Sequence, residues 1–428
     1  MAGEWKDVLL EDVAADVTVG HVGPMASEYL DQGIPFLRSQ NVDPLRVNDT
    51  DLKFISKEFH ARLKKSELSP GDVVIVRTGK PGACAVIPQT LPVANCSDLV
   101  IVRCGNKLDP RFLAYYVNSV AAHHVNSHLV GAVQQHFNVA SARRMFLRLP
   151  ELTEQRAIAH ILGTLDDKIE LNRRMSETLE AVARALFKSW FVDFDPVRAK
   201  MEGRDPGLPK EIADLFPSRM VESELGEIPE GWEAGILGDV AEHPRRGIQP
   251  DEVAPDTPYI ALEHMPKQCI ALSEWGTADG LESNKFQFKK GEILFGKLRP
   301  YFHKVGVAPT DGVCSTDIVV VAPCSKEWLG VVLGHVSSGA FIEYTNAGST
   351  GTKMPRTSWH DMARYPIALP PEPLAVTFTR LLQPSVERIV AGIHESHALA
   401  TLRDTLLPKL ISGELCVEDA ERVLEGVA

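Results

Sequence analysis

The amino-acid sequence predicts an α+β fold in which an α/β domain followed by a long α-helix occurs twice, with the two long helices pairing. Three observations predict it: a seven-residue apolar repeat over about five heptads, a second apolar stripe half a chain later, and strand-like segments that recur at the same distance. The predicted segments are a first domain at 1–150, a central long helix at 151–194, a linker at 195–230, a second domain at 231–370, a distal long helix at 371–415 and an acidic tail at 416–428.

The central helix is predicted by apolar residues at helical spacing between Pro150 and Phe191, where Gly163 is the only glycine. The stripe contains Ile158, Leu162, Leu165, Ile169, Leu179, Ala183, Leu186 and Trp190, with one polar layer at Asn172 and Ser176. A helix of about 40 residues spans roughly 60 Å, which is more than an ordinary domain core needs. The pattern favours half of a helix pair that separates two bodies, with a single long helix along one large domain as the alternative. A buried Asn is expected to fix the register of such a pair.

The distal helix follows Leu369 and Pro370 with a less regular stripe. Its members are Leu382, Val386, Ile389, Ile393, Ala400, Leu407 and Leu410. Pro384 removes a backbone hydrogen bond near the start of this helix, and Pro408 is expected to bend its end.

The two halves of the chain repeat each other. Residues 71–76 match 291–296, and 149–150 match 369–370, both at a distance of 220 residues; 96–102 match 314–321 with one inserted residue. Strands are predicted at Val73–Val76, Ala83–Ile87 and Leu99–Val102, and again at Glu292–Phe295, Val305–Ala308 and Ile318–Val321. A helix is predicted at Arg111–Asn118, and at most one short helix in the linker, near Glu211–Phe216. A tandem duplication accounts for this organisation.

Composition restricts the class of protein. The chain has 428 residues and a net charge of −12, but residues 1–150 are nearly neutral, with 16 Lys and Arg against 15 Asp and Glu. Much of the acidity lies in the linker and helical arms, which permits DNA binding without requiring it. The seven cysteines lack C-x-x-C spacing, so Cys96 and Cys314 are predicted to be small buried apolar residues. With no long apolar run and no signal peptide, a soluble cytoplasmic protein without membrane association is expected.

Catalytic motifs are missing from the sequence. There is no H-E-x-x-H, no G-x-S-x-G and no [DNS]-P-P-[YF] of an amino-methyltransferase. The segment from Gly291 to Leu298 is one residue from a phosphate-binding loop, but Leu298 replaces the magnesium-binding Ser or Thr and the residues between the glycines favour a strand. A nucleotide-dependent enzyme built on this segment is a disfavoured alternative, as is a bivalent scaffold that binds only proteins.

Polar residues follow the predicted strands at equivalent positions of both copies. Arg77 and Lys80 follow one strand, and Lys297 and Arg299 follow its repeat. Arg and Lys pair with guanine edges or phosphates, and Gln and Asn with adenine, so two diverged loop sets on one scaffold suit two different readers; an ordinary solvated loop is the alternative. The candidate DNA-binding residues are Arg38, Gln40, Asn41, Arg77, Thr78, Lys80, Gln134, Gln135 and Asn138 in the first domain, and Arg245, Arg246, Lys297, Arg299, His303, Lys304, Thr352, Lys353 and Arg356 in the second.

Five further stretches are distinctive: Glu154-Gln155-Arg156-Ala157-Ile158, Leu165-Asp166-Asp167-Lys168-Ile169, Leu186-Phe187-Lys188-Ser189-Trp190-Phe191, Leu225-Gly226-Glu227-Ile228-Pro229 and Leu407-Pro408-Lys409-Leu410-Ile411-Ser412-Gly413. With these stretches the chain resembles the specificity subunits of type I restriction-modification systems over nearly its whole length. Pro373-Leu374-Ala375-Val376 departs from the pattern, because a Glu-Gln pair is typical there.

The resemblance implies two target-recognition domains that each read half of a split asymmetric DNA site. It also implies that the two long helices pair as an antiparallel coiled coil, set the spacer and dock two methyltransferase subunits, and that restriction (translocase–nuclease) subunits complete the assembly. The chain is then expected to be non-catalytic, with no cofactor bound directly, and S-adenosylmethionine, ATP and magnesium are expected on the partner subunits. The alternative within this class is the specificity chain of a stand-alone methylation system or another modular defence system.

Two expectations concern assembly. Residues off the helical seam are expected to face partner subunits; these are Gln155, Arg156, Ala159, Asp166, Asp167, Lys168 and Arg173. The aromatic residues within 186–194 are expected to be partly exposed, which predicts poor solubility of the isolated chain.

Overall fold

The computed structural model describes residues 5–119, 137–349 and 354–425. The chain divides into two compact units, residues 1–168 with 399–428 and residues 169–398. Each unit therefore contains one α/β domain, part of the first long helix and part of the second. None of the described helices is long and apolar enough to cross a lipid bilayer.

The described α-helices begin and end as follows: α1 Leu10–Val13, α2 Lys57–Arg62, α3 Pro110–Asn118, α4 Val139–Arg143, α5 Leu152–Phe191, α6 Asp195–Met201, α7 Lys210–Ala213, α8 Leu329–Val336, α9 Gly339–Ala347, α10 Trp359–Met362, α11 Glu372–Ser412 and α12 Val417–Glu425. The long helices α5 and α11 confirm the predicted arms. The predicted helix at Arg111–Asn118 is confirmed as α3, which begins at a proline after the N-cap Asp109.

The described strands of the first half are β1 Lys6–Leu9, β2 Ala14–Val19, β3 Ile34–Leu37, β4 Val42–Asp43, β5 Arg46–Val47, β6 Lys53–Ile55, β7 Glu67–Leu68, β8 Val73–Val76, β9 Cys84–Val86, β10 Ala94–Cys96, β11 Leu99–Cys104 and β12 Phe146–Leu149. Those of the second half are β13 Met220–Ser223, β14 Gly226–Pro229, β15 Glu233–Ile236, β16 Ala241–Glu242, β17 Gly247–Ile248, β18 Pro258–Ile260, β19 Gly276–Thr277, β20 Lys285–Phe288, β21 Ile293–Gly296, β22 Val305–Val307, β23 Gly312–Cys314, β24 Ile318–Pro323 and β25 Pro366–Leu369. The six predicted strands are confirmed, with ends that differ by one or two residues.

The sheets repeat between the two halves, which supports the duplication. A sheet of order β2-β11-β8-β9 in the first domain corresponds to β16-β24-β21-β22 in the second, and the pair β1–β12 corresponds to β15–β25. The second large sheet is β6-β3-β10-β7 in the first domain and β17-β20-β23-β18-β19 in the second. In each of these a parallel pair stands out, β3 with β10 and β18 with β23.

The long helices pair antiparallel within each unit. In the first unit, Arg403 of α11 donates to Asp166 of α5. In the second, Asn172 of α5 donates to Glu395 of α11. Both contacts, read with the Trp190–Phe378 ring contact in the second unit, show residue numbers rising along α5 as they fall along α11. The helix α11 is continuous across Pro384 and Pro408, which are both exposed.

The predicted polar layer is buried and fully bonded. The Asn172 side-chain amide donates to Glu395 Oε2 at 3.0 Å and to Ser396 Oγ at 3.3 Å, and its Oδ1 accepts from Arg388 Nη2 at 3.0 Å. Ser176 is buried and donates to the Asn172 carbonyl at 2.9 Å. The layer stabilises one alignment of the helices, because any other would bury an unpaired amide.

The linker is more ordered than predicted. Residues 195–230 contain the helices α6 and α7 and the hairpin β13–β14, so the prediction of at most one short helix near 211–216 is wrong. Phe216 of this segment packs edge-on against Trp190, with ring centroids 5.1 Å apart. The Pro and Gly residues of the linker predicted where its helices and strands are interrupted. They did not predict that the apolar residues between them complete a core.

The expectation that the aromatic residues near the end of α5 are partly exposed is wrong. Phe187, Trp190, Phe191 and Phe194 are buried in a core of the second unit, so they are no exposed aromatic patch and give no reason for poor solubility. The linker segment and α11 cover them. The packing is close enough that a side chain at Gly334 of α8 would overlap the Phe187 ring, which an added Cβ would approach within 2.0 Å.

The face of α5 that was expected to meet partner subunits is partly used within the first unit. Gln155 is buried and bonds to three backbone groups: it accepts from the Asp109 amide and donates to the carbonyls of Lys107 and Pro150. Ala159 is buried, and Asp166 accepts from the Tyr115 hydroxyl and from Arg403. Exposed polar positions remain, among them Arg156 and Asp167, the latter paired with Arg111.

The cysteine prediction is confirmed. Cys96 and Cys314 are buried and unpaired at the ends of β10 and β23, and burial raises the pKa of the Cys314 thiol to about 12. They pack as small apolar residues in equivalent places.

Candidate nucleic-acid interface

Loops from four strands meet at one edge of the first domain. The parallel strands β3 and β10 both end there, and their last residues, Leu37 and Cys96, are register partners. β8 also ends there, at Val76, opposite the first residue of β11, Leu99. The loops that carry Arg38, Arg77 and Asp98 are therefore neighbours. Lys80 Nζ, which follows Arg77, lies 3.5 Å from Asp43 Oδ1, which follows Arg38 in the chain.

Arg77 and Thr78 converge on Asp98. Arg77 Nη1 donates to Asp98 Oδ1 at 2.7 Å, Arg77 Nε donates to the Phe137 carbonyl at 3.1 Å, and Thr78 Oγ1 donates to Asp98 Oδ2 at 2.8 Å. The Arg77 side chain is only 16% exposed. Two of its five N–H donors thus hold the loop together, whereas Lys80 is 75% exposed and lies on the surface.

Arg38 and Gln40 converge on a second carboxylate, Asp51. Arg38 Nη2 donates to Asp51 Oδ2 at 3.0 Å and Gln40 Nε2 donates to the same oxygen at 3.2 Å. Lys53 Nζ donates to Asp51 Oδ1 at 2.6 Å. The donors of Lys53, Arg38 and Gln40 hold the pKa of Asp51 well below its usual range, so the carboxylate is ionised at neutral pH.

Asn41 and Asn138 shape the backbone of this edge. Asn41 is buried; its Oδ1 accepts from the Arg38 amide and its amide donates to the carbonyls of Asn48 and Thr50. Asn138 caps α4 by accepting from the Ser141 amide at 2.9 Å. Such turns and caps are frequent uses of Asn, and here they use the Asn41 amide and the Asn138 side-chain oxygen.

The second domain has the same convergence of loops. Ile260 and Cys314, the last residues of β18 and β23, are partners in a parallel pair, and β21 ends at Gly296 opposite the first residue of β24, Ile318. The Lys297 amide donates to the Asp317 carbonyl at 2.9 Å, and the Thr357 amide donates to the Lys297 carbonyl at 3.1 Å.

Asp317 corresponds to Asp98, but its arginine comes from another loop. Arg356 Nη2 lies 3.2 Å from Asp317 Oδ1. Lys297 occupies the place of Arg77, and its ammonium pairs with no residue that the structure describes. The half-exposed Arg356 and the unpaired Lys297 are therefore cations at the same edge.

Other candidate residues of the second domain are held internally. Arg246 makes a bidentate ion pair with Glu292, which raises the Arg246 pKa, and His303 bonds through Nε2 to the Ser337 carbonyl at 3.0 Å. Lys304 donates to the Leu262 carbonyl, and burial lowers its pKa. Arg245 is exposed and pairs with no described residue.

Arg299 is intermediate between these groups. It adopts a left-handed backbone conformation with φ of 52°, and its amide donates to the Pro355 carbonyl. Its guanidinium carbon lies 5.9 Å from the centroid of the Phe302 ring, and its Nε is buried without a partner among the described residues. The candidates Gln134, Gln135, Thr352 and Lys353 lie outside the described residues.

The structure offers little for a nucleotide enzyme in the described part of the chain. β21 runs through the phosphate-loop-like segment and buries Ile293–Phe295, so the segment is a sheet strand and not a cradle of free amides. Among the residues described, no group of three or more His, Cys, Asp or Glu is arranged to hold a metal ion. The edge instead presents cations and the exposed Gln40 amide on loops and turns at the ends of strands.

Comparison with known proteins agrees with this arrangement. Residues 3–181 match the family model described as the type I restriction modification DNA specificity domain. The comparisons therefore support a specificity subunit of a type I restriction-modification system.

Two curated specificity subunits and one solved structure are similar to this chain. The MjaIX specificity subunit of Methanocaldococcus jannaschii is 28% identical over 63% of this chain and 60% of its own length. The HindI specificity subunit of Haemophilus influenzae is 28% identical over 64% of this chain and 70% of its own length. The crystal structure of the type I S subunit from M. genitalium covers 95% of this chain and 96% of its own, with 12% identity and a TM-score of 0.53, which shows a shared fold.

The sequence analysis missed the carboxylates that organise each edge. Asp98 and Asp317 follow the repeated Cys-Ser pair, so their equivalence was visible in the repeat, but candidates were chosen as donors and acidic residues were passed over. Asp51 and Lys53 gave no such signal, because they join Arg38 only through the fold.

Proposed function

We propose that this chain is the DNA-reading subunit of a type I restriction-modification complex, in which each domain reads one half of a split asymmetric site. The observation that carries the proposal is the duplicated edge: equivalent strands present equivalent loops with different side chains, Arg77 and Lys80 in one domain, Lys297 and Arg356 in the other. Exposed Lys and Arg neutralise phosphates, and base edges are read by Arg, Gln and Asn in the major groove.

In the same proposal the paired helices set the spacer between the half-sites and dock two methyltransferase subunits. The buried layer around Asn172 supports a fixed register, which a spacer needs. The methyltransferase subunits bring S-adenosylmethionine and flip the target adenine, and restriction subunits hydrolyse ATP with magnesium. This chain then acts as the non-catalytic reader.

The first experiment identifies the motif. The chain is co-expressed with its methyltransferase subunits in a host that lacks them, and modified bases are mapped by sequencing. We expect one asymmetric motif of two half-sites with an unspecified spacer between them. A continuous motif, or none from an intact complex that binds DNA, contradicts the proposal.

The second experiment tests the spacer. Four residues are inserted in α5 between Lys168 and Ile169, and four in α11 between Ala398 and Leu399, because both helices pass from one unit to the other there. The insertion leaves the Asp166–Arg403 and Asn172–Glu395 contacts within their units. Each helix gains about 6 Å and B-DNA advances about 3.4 Å per base pair, so the spacer is expected to widen by one or two base pairs with unchanged half-sites.

A matched control for the spacer experiment inserts the same four residues after Glu224, in the turn of the β13–β14 hairpin. This variant should keep the original spacer. If the helix insertions yield an active complex with an unaltered spacer, the helices do not set it.

A further inference from the structure

We propose that Asp51 is a positioning residue for the first half-site, orienting Gln40 and Arg38 toward DNA bases with Lys53 as an added cation. The inference rests on the proposed function, since it assigns a specificity role within the first DNA-reading edge. None of the candidate residues chosen from the sequence included Asp51 or Lys53.

One carboxylate holds three donors from two segments of the chain. Asp51 Oδ2 accepts from Arg38 and Gln40, and Asp51 Oδ1 accepts from Lys53. The Asp51 carbonyl also accepts from Arg38 Nη2, so the backbone fixes the guanidinium a second time. Asn41 ties the same two segments together through the carbonyls of Asn48 and Thr50.

The geometry leaves groups of Gln40 free for a base. A glutamine amide has two N–H donors and one carbonyl acceptor, and here one donor is used by Asp51. The remaining donor and acceptor form the pair that recognises the N7 and N6 positions of adenine in the major groove. Gln40 is exposed, so a base can reach it. Without Asp51, no described residue would fix the rotation of the Gln40 amide by a hydrogen bond.

Arg38 is fixed more firmly than an exposed arginine. Its side chain is 21% exposed, and its guanidinium carbon lies 5.8 Å from the centroid of the Tyr29 ring. Nη2 is occupied by Asp51, while no described residue accepts from Nη1. A preorganised guanidinium loses less conformational entropy on binding a guanine edge than a free side chain does.

The charge of the cluster suits DNA. Asp51 is flanked by Arg38 and Lys53, so the three groups carry one net positive charge at neutral pH. The carboxylate therefore orients the donors without making the surface negative. A neighbouring acceptor that holds a base-reading side chain in place helps the site to discriminate bases. An amide that rotates freely can pair with several different bases.

The second domain lacks this network at its corresponding loop. There the Leu262 carbonyl accepts from Lys304, and His264 Nδ1 accepts from the Ala261 amide. The second half-site thus provides an internal control, since changes at Asp51 have no counterpart there.

The test compares Asp51→Asn, Asp51→Glu and Gln40→Ala in the full complex with the methyltransferase subunits. Methylation is measured at a library of sites in which each position of both half-sites is varied. Asp51→Asn should lower discrimination at the base positions that Gln40→Ala affects, by about five- to a hundredfold, as for the loss of one bidentate base contact. Asp51→Glu should restore part of it, and the double variant Gln40→Ala with Asp51→Asn should lose no more than Gln40→Ala alone.

Asp16→Asn is the matched control. Asp16 Oδ2 lies 2.7 Å from Arg103 Nη1 near the opposite end of β11. The substitution therefore removes an ion pair of the same type away from the DNA-reading edge. It should leave the motif unchanged. Thermal unfolding of each variant complex is recorded in parallel.

The outcomes separate the two proposals. If the wild-type complex yields a split motif and Asp51→Asn leaves discrimination unchanged, the inference is wrong and the proposed function stands. A uniform loss of methylation with a lower unfolding temperature and no change of motif assigns Asp51 a merely structural role and also overturns it. If the wild-type complex yields no split motif, the proposed function fails first.

Discussion

The two halves of the chain use the same scaffold but pack different side chains where the end of one long helix meets the start of the other. This contact is called the base of each unit. Phe187, Trp190 and Phe191 of α5 pack with Phe378 in the second unit, and the residues 220 positions away, Leu407, Leu410, Ile411 and Ile158, pack in the core of the first. One base is aromatic and the other aliphatic, although strand order and register are shared. The apolar pattern is therefore shared at these positions, while the volume of the individual side chains has diverged.

The same contrast appears at the start of each long helix. Gln155 bonds to three backbone groups in the first unit, and the residue 220 positions later, Ala375, is buried in an apolar core of the second. A polar anchor near the start of α5 thus corresponds to apolar packing near the start of α11.

The largest expected effect comes from breaking the aromatic base. Trp190→Ala should cost about 3–5 kcal/mol of unfolding free energy in the second unit, because it leaves a large cavity. Leu410→Ala, the matched change in the first unit, should cost about 2–5 kcal/mol there. Hydrogen exchange of peptides from each unit measures both. Equal losses of protection in the two units from either variant would show that they unfold together.

A second prediction separates Arg77 from Lys297. Arg77→Ala removes hydrogen bonds to Asp98 and to the Phe137 carbonyl and should destabilise the first unit by roughly 1.5–3 kcal/mol. Lys297→Ala should leave stability within about 0.5 kcal/mol, since its ammonium has no described partner. Urea unfolding followed by hydrogen exchange measures the difference. A stable Arg77→Ala variant would remove the structural role that the ion pair indicates.

A third prediction uses pH to distinguish the units. Burial lowers the pKa of His335 to about 3, and its Nε2 has no hydrogen-bond partner among the described residues. The unfolded chain binds the proton near pH 6.5, so between pH 6.5 and 3 unfolding takes up a proton and stability falls as pH falls. The second unit should lose about 2 kcal/mol between pH 7 and pH 5 from this group. His335→Leu should remove that part of the pH dependence; an unchanged slope would show that other groups cause it.

The smallest expected effect is on DNA affinity. Lys297→Ala should weaken binding to all sequences. It should also reduce the slope of log K against log salt concentration by about one, the contribution of one phosphate contact. Lys326→Ala, beyond the far end of β24, is the matched control and should change neither. Titration of specific and random duplexes at several salt concentrations gives both slopes. A change of sequence preference without a change of slope would make Lys297 a base reader.

Much of the fold could be predicted from the sequence because the sequence contains two copies of the same domain and helix. β8 and β21, and likewise β11 and β24, were recognised because a short apolar run gains weight when it recurs. The burial of Phe187 and Phe191 was missed, since their core includes Phe216 and Ile228 from a segment dominated by turn residues. The roles of Asn41 and Arg246 were missed because a side chain's partner depends on distant chain segments, Thr50 and Glu292 here.

The contact between Asn172 and Gly392 joins positions that are 220 residues apart, the distance that separates the two copies. An added Cβ at Gly392 would lie 3.6 Å from Asn172 Cβ, so the large and the missing side chain fit against each other. At this point of the pair each copy meets its own counterpart. Two identical copies would set amide against amide or leave a gap there. The unequal pair therefore gives the helix pair a direction, which the proposed reading of an asymmetric DNA site would require.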